Sequence, residues 1–387
     1  MAALPTIDDA LALVLARVQP LVSEDVPVAA AAGRFVAVDA RATTDLPPFD
    51  SSAMDGFAVR AADTPGELRV VGESAAGRPF AGELGAGEAV AISTGAVVPA
   101  GADAVVPVER TRGEVTVERV EPGENVRPRG GDAHSGDVVA AAGMCLRPAQ
   151  LGALAAAGVA TVRCARRPRV AVVATGTELR RPGERLAAGE IYESNTVLLA
   201  AQLATAGAEA VVLDTVADDR DSTRRSLERA LEHDMLITSG GVSVGPHDLV
   251  RGALAELGVE EVFWRVAVKP GKPVAFSVRG DTLVFGLPGN PVSSLVAFEL
   301  LVRPALLALQ GARDPRPQYL PGALARSLRR SNRDELVRAH HENGVLEPIT
   351  GQDSHMIVRA AAANALVFVP HGEGELAQGA AVSWLPL

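Results

Sequence analysis

Between residue 169 and about residue 310 the chain repeats a single alternation. "RVAVVATG", "AEAVVLDTV", "MLITSGG" and "VEEVFWRVAV" are near-continuous apolar runs. Between them lie helical patterns near 195–206, 221–233 and 248–257, with Gly207 ending the first and Gly258 the last. A strand that is apolar on both faces must be covered on both faces, and the intervening helices supply that cover. The pattern therefore predicts βαβ units and a doubly wound, mostly parallel sheet as the centre of an α/β multidomain protein.

At 387 residues the chain exceeds one hydrophobic core, and its flanks read differently. Thr6 followed by Asp9 marks a helix N-terminus, and Ile7, Leu11, Val14, Leu15 and Val18 share one face, so a helix is expected over 7–19. From 27 to 146 short runs such as "ELRVVG", "AVAIS", "ADAVVPV" and "GEVTVERV" are broken by Gly and Pro, which predicts an inserted β domain. Pro148 and Gly158 then bracket a second helical piece. The resulting division is a discontinuous helical domain at 1–26 and 147–168, the β domain at 27–146, the α/β domain at 169–312, and 313–387. The last segment, with "ELVRAHH", "GVLEPI", "ALVFVP" and "AVSWLPL", reads as a small β barrel.

A net charge of −10 and 3% aromatic residues argue against nucleic acid as a partner, because backbone tracking needs cations and base stacking needs rings. Cys145 and Cys164 lack metal or redox spacing and read as buried thiols. Asp8 and Asp9 stand where a secretory leader needs positive charge. The apolar run from Val292 to Leu309 holds Glu299, Arg303 and Pro304, and so reads as a packed helix. A cytoplasmic protein without a membrane partner is expected.

In open α/β sheets ligands sit beyond the carboxyl ends of the strands. Three loops fall there: "VVATGTEL" with Thr175, Gly176 and Glu178; "LITSGGVSVGPHDLV" with Ser239, Gly240, Gly241, Ser243 and Asp248; and "FGLPGNPVSS" with Gly289 and Asn290 before Pro291 opens a helix. Glycine admits close backbone approach to phosphate oxygens, and Ser and Thr add donors without bulk. Asp248, Glu178 and Asp218 are candidates for a divalent cation bridging ligand phosphates, with helix capping the rival reading of Asp218 and, more weakly, of Asp248. Asp55 before Gly56, Thr94 before Gly95 and Asp132 after Gly131 read only as turn positions.

The chain has 37 Lys+Arg, yet Lys269 and Lys272 in "VAVKPGKPVAF" are its only lysines. Pro270 and Pro273 stiffen that loop.

Taken in order, "SAMDGFAV", "STGAVVPAGADAVV", "ENVRPRGGD", "VVATGTEL", "TSGGVSVGPHD", "VKPGKPV" and "GLPGNPVSS" resemble the molybdopterin molybdenumtransferase (MoeA) family, which includes the gephyrin E domain. The resemblance implies a molybdenum insertase acting on adenylylated molybdopterin and molybdate, with release of AMP and assistance from Mg²⁺. It also implies a homodimer whose active site is shared between subunits, in transient contact with a molybdopterin adenylyltransferase and with molybdoenzyme maturation factors. Carried over position by position, Asp248 would hold Mg²⁺, with Glu178 and Asp218 lining the same cleft. Asp55, Thr94, Arg127 and Asp132 would come from the partner's inserted domain, and Pro288 and Pro291 would shape the floor. Lys269 and Lys272 would face molybdate, joined by Arg338 and Ser354 from the barrel. The family often has Asp where Glu193 stands in "IYESN". Two other readings stay open: a molybdopterin adenylyltransferase, and a noncatalytic scaffold of the gephyrin type.

Overall fold

The computed structural model describes residues 4–112, 115–215, 219–241 and 249–387. The chain divides into two compact units, one of Met1–Glu24, Gly33–Ala37 and Cys164–Leu387, the other of Asp25–Ala32 and Val38–Arg163.

In the first unit a six-stranded sheet is built from β1 (Arg169–Ala174), β2 (Glu209–Val212), β3 (Met235–Ser239), β4 (Glu260–Trp264), β5 (Ala275–Arg279) and β6 (Thr282–Leu287). Its order is β2-β1-β3-β6-β5-β4. The pairs β2/β1, β1/β3 and β3/β6 are parallel, while β6/β5 and β5/β4 are antiparallel. The expected strand "VEEVFWRVAV" is broken: β4 ends at Trp264, Arg265 adopts φ 75°, and the chain leaves the sheet to form a second short strand at Val268–Lys269. A non-glycine residue in the left-handed region cannot continue a ladder, so the run serves two sheets instead of one.

Helices α1 (Ile7–Leu15), α2 (Asn195–Thr205), α3 (Arg220–Ala230), α4 (Leu249–Glu256) and α5 (Pro291–Leu309) cover this sheet. Alternation along β1 assigns the faces: Val170 and Val172 join Leu11, Leu203 and Phe298 of α1, α2 and α5, whereas Ala171 and Val173 join Leu227 of α3 and Leu254 of α4. The doubly wound expectation holds.

Helix α1 is shorter than expected, ending at Leu15, and Thr6 and Asp9 close a capping box at its start. Helix α5 is apolar enough to span a bilayer by composition but is 72% buried in this core. Each Val, Leu or Phe it buries contributes about 1.5–3 kcal/mol. Its π-helical turn at Phe298–Val302 precedes Pro304, which has no N–H to return to the preceding turn.

A barrel closes the unit. Strands β7 (Leu320–Leu324), β8 (Asp334–Glu342), β9 (Val345–Pro348), β10 (Ala365–Val369) and β11 (Ala381–Pro386) form the ring β8-β9-β7-β11-β10, which returns to β8. Asn343 (φ 50°) and Gly344 (φ 83°) make the tight β8–β9 turn that this dipeptide favours. Val337, Ala339, Val367 and Trp384 fill the barrel, while Leu336, Leu366 and Leu385 face the core under α1.

The second unit carries a sheet ordered 69–74, 88–92, 56–59, 104–107 and the helix Pro148–Ala156. Successive residues Ala58 and Val59, or Val105 and Val106, enter opposite apolar clusters, so both faces of the sheet are covered. Cys164 is buried and Cys145 half-buried, and both are free thiols.

Candidate functional site

The carboxyl ends of β1, β3 and β6 form the floor of a cleft of about 700 Å³ in the first unit, with barrel residues His355 and Ile357 on its wall. The three strand ends are joined beyond their ladders: Thr175 N–H donates to Ser239 O (3.2 Å), and Gly240 N–H donates to Leu287 O (3.1 Å). Asn195, at the start of α2, is buried and donates through Nδ2 to Ser239 Oγ (2.7 Å) and Gly289 O (2.8 Å). A carbonyl can only accept, so this pairing fixes the orientation of the amide. Its Oδ1 is left buried without a partner. Ser294 Oγ donates to Pro288 O (2.5 Å), which sets the floor loop ahead of Pro291, the first residue of α5.

Two glycines are required by geometry. Gly176 has φ 150°, a backbone conformation that residues with a Cβ rarely adopt. Gly241 has φ 65°, and a Cβ there would lie 2.4 Å from Val250 Cγ2 at the start of α4. Both turns are closed to side chains. Glu178 is exposed and lines the cleft with Thr175 and Ser239. Glu193 also lines it, but its carboxylate accepts from the Thr196 N–H (2.9 Å) and hydroxyl, so from the position before the N-cap Ser194 it satisfies a first-turn N–H of α2.

The barrel reaches the cleft through the 350–356 loop. Asn290 Nδ2 donates to Ser354 Oγ (2.8 Å), and Val292 N–H donates to Ser354 O (3.1 Å). Arg338 is 1% exposed. Its guanidinium donates to Gly351 O (3.1 Å), Asp353 O (3.3 Å), Met356 O (3.3 Å) and Gln352 Oε1 (3.2 Å), so it builds the loop from beneath. Burial holds its pKa below the usual arginine range, against the opposing charge of Asp353. In this structure the Arg338 guanidinium is engaged by the loop carbonyls.

Pro273 of the lysine loop lines the cleft. Lys269 and Lys272 are exposed, and Lys269 Nζ lies 3.0 Å from Glu335 Oε1 on β8. In the second unit Asp55 Oδ1 accepts the Thr94 N–H (2.7 Å) and Asp132 N–H donates to Leu46 O (2.9 Å). Arg127 pairs with Ser51 in a short ladder. All four side chains of that set, Asp55, Thr94, Arg127 and Asp132, are exposed. Asp218, Ser243 and Asp248 lie outside the described residues, and the cap of α3 is Asp219, which accepts from Ser222 N–H (2.9 Å).

Among the described residues no group of three or more His, Cys, Asp or Glu side chains could hold a metal. Glu178, an exposed carboxylate on the cleft, has the chemistry to serve a divalent cation, which needs only one or two carboxylates beside substrate oxygens. Sequence reasoning missed Asn195 and Glu335. A helix-start asparagine and a strand glutamate carry no motif, and only the long-range pairing exposes them.

A doubly wound sheet with glycine- and hydroxyl-lined loops at its carboxyl edge, walled by a barrel loop, is the kind of arrangement by which α/β proteins bind small ligands, phosphorylated ones included. Residues 5–158 match the MoeA N-terminal region (domain I and II), 171–308 the probable molybdopterin binding domain, and 321–387 the MoeA C-terminal region (domain IV). Molybdopterin molybdenumtransferase 2 of Mycobacterium tuberculosis is 39% identical over 376 residues, 92% of each chain. Molybdopterin molybdenumtransferase of Haemophilus influenzae is 35% identical over 397 residues, 98% of each. The solved molybdopterin biosynthesis MoeA protein of Pyrococcus horikoshii superposes with a TM-score of 0.84 at 32% identity, covering 99% of both chains. The chain belongs to the MoeA family of molybdopterin molybdenumtransferases, enzymes of molybdenum cofactor biosynthesis.

Proposed function

We propose that this chain transfers molybdenum from molybdate to adenylylated molybdopterin and releases AMP. The observation that carries the reading is the convergence on one cleft of the β1, β3 and β6 loops with the barrel loop at Ser354 and the lysine loop at Pro273. The loops at Thr175, Ser239 and Gly289 would take the phosphates and the nucleotide, and Asn195 holds two of them in register. Glu178, with Asp248, would hold Mg²⁺, which when bound supplies positive charge to the phosphate oxygens. Lys269 and Lys272 would meet molybdate, a tetrahedral dianion that must be bound and then surrendered. A compact ammonium attracts such an anion without the bidentate grip of guanidinium. We place the reaction in the cytoplasm, in a homodimer whose partner presents Asp55, Thr94, Arg127 and Asp132 to the cleft.

The test is AMP release from adenylylated molybdopterin with and without molybdate and Mg²⁺, comparing the wild-type chain with Asp248→Asn and Glu178→Gln. Release that requires molybdate and collapses in Asp248→Asn is the expected result. Consumption of ATP with molybdopterin, and no AMP release, would favour the adenylyltransferase reading.

A further inference from the structure

The lysine loop is held by the barrel at three successive residues. Val268 and Lys269 pair in parallel register with Asp334 and Glu335 of β8. The Arg333 Nη1 donates to Val268 O at 3.0 Å. The Lys269 ammonium then meets the Glu335 carboxylate at 3.0 Å. Glu335 is only 8% exposed, so its carboxylate cannot turn to solvent and depends on that ammonium for its counter-charge. Lys272, two residues past Pro270, is exposed and forms no ion pair among the described residues. Among the described residues the two lysines are therefore electrically unequal.

We propose that Glu335 is a positioning residue of the oxyanion loop: it fixes the Lys269 ammonium against the barrel and offsets its charge, leaving Lys272 the uncompensated cation that an arriving oxyanion meets. The inference rests on the assignment of this loop to molybdate. An ammonium has three donors, and one bond to Glu335 leaves two for an oxyanion. Two free ammonium groups would bind a dianion more tightly in the ground state and delay its departure, which lowers turnover without aiding the chemical step. The carboxylate trades affinity for release.

The experiment is equilibrium dialysis of molybdate, and separately of sulfate, against the full-length wild type, Glu335→Gln, Lys269→Gln, Lys272→Gln and the double variant Glu335→Gln/Lys269→Gln. Thermal unfolding confirms that each is folded. Because Lys269→Gln alone strands a buried carboxylate and can unfold the barrel, the double variant, which removes both charges, keeps the test readable. Glu335→Gln is expected to bind both oxyanions about tenfold tighter, as one extra unit charge at close range in a wet site allows. Its molybdate-dependent turnover should fall. The gain in affinity should vanish in the double variant, since it acts through Lys269. Unchanged or weaker binding by folded Glu335→Gln overturns the proposal, as does a gain that persists without Lys269. Wild-type molybdate binding by both Lys272→Gln and the double variant removes the anion assignment itself and this proposal with it. Loss in those two variants with a failed cycle removes only the role of Glu335.

Discussion

Asn290 and Ser354 join two domains at the cleft: the Asn290 amide donates to the Ser354 hydroxyl at 2.8 Å, while the Ser354 carbonyl accepts from Val292 N–H. The floor loop after β6 and the barrel loop are therefore tied to each other by two hydrogen bonds. Ser354→Ala removes one exposed side-chain bond and should cost about 1 kcal/mol or less in stability. Its effect on molybdate-dependent AMP release should be larger, about tenfold in kcat, because a loop displaced by an ångström loses productive geometry. A double-mutant cycle with Asn290→Ala measures the coupling. Full additivity in kcat would show that the two loops work independently.

Asn195 makes a stronger prediction because its amide is buried and serves two loops. In Asn195→Ala, Ser239 Oγ and Gly289 O lose their shared donor, which should cost about 1–3 kcal/mol. Asn195→Asp should be worse, since a carboxylate oxygen would then face the Gly289 carbonyl. Thermal unfolding together with binding of AMP checks both, and binding should weaken in the order wild type, Ala, Asp. Equal affinity in all three would separate Asn195 from the nucleotide loops.

Much of this arrangement was legible in the chain. The apolar runs gave β1, β2, β3 and the two-faced cover, and the Thr6–Asp9 pair marked the start of α1, because both signals are local. The three loop motifs reached one edge of one sheet because parallel strands put all their carboxyl ends on the same side. Non-local relations were not legible. No local pattern announces that Arg338 is buried against loop carbonyls or that Glu335 meets Lys269, because each relation joins different segments of the chain. The break at Arg265 depends on a backbone angle that an arginine rarely adopts, so the run "VEEVFWRVAV" looked continuous.

Asp234 provides a pH prediction at the other end of the sheet. Burial raises its pKa, but the Arg166 hydrogen bonds (2.5 and 2.6 Å) and the Arg169 N–H (2.8 Å) outweigh burial and leave it below its ordinary value of 3.8. A depressed carboxylate stabilises the fold above its unfolded-state pKa and loses that contribution as pH falls through the folded-state value. Stability owed to Asp234 should thus be full at pH 6 and decline below about pH 4. Asp234→Asn should be destabilised by about 2 kcal/mol at pH 7, with a difference from wild type that shrinks towards pH 3. Urea unfolding at several pH values checks this. A difference independent of pH would mean that shape, not charge, is what Arg166 requires.

Arg338 allows two roles to be separated in one position. Its guanidinium reaches the carbonyls of Gly351, Asp353 and Met356 through a planar fork, and no carboxylate oxygen is among these partners. If its task is to hold the 350–356 loop, the fork matters and the charge alone does not. Arg338→Lys keeps a cation but cannot span three carbonyls, so it should lose loop order almost as fully as Arg338→Met. Amide hydrogen exchange at Ser354 and His355 should then speed up in both variants, and molybdate-dependent turnover should fall by a similar factor in both. If instead Arg338→Lys retains most of the turnover while Arg338→Met loses it, the charge acts directly on the substrate anion, and the cradle of carbonyls is only where the side chain rests between turnovers.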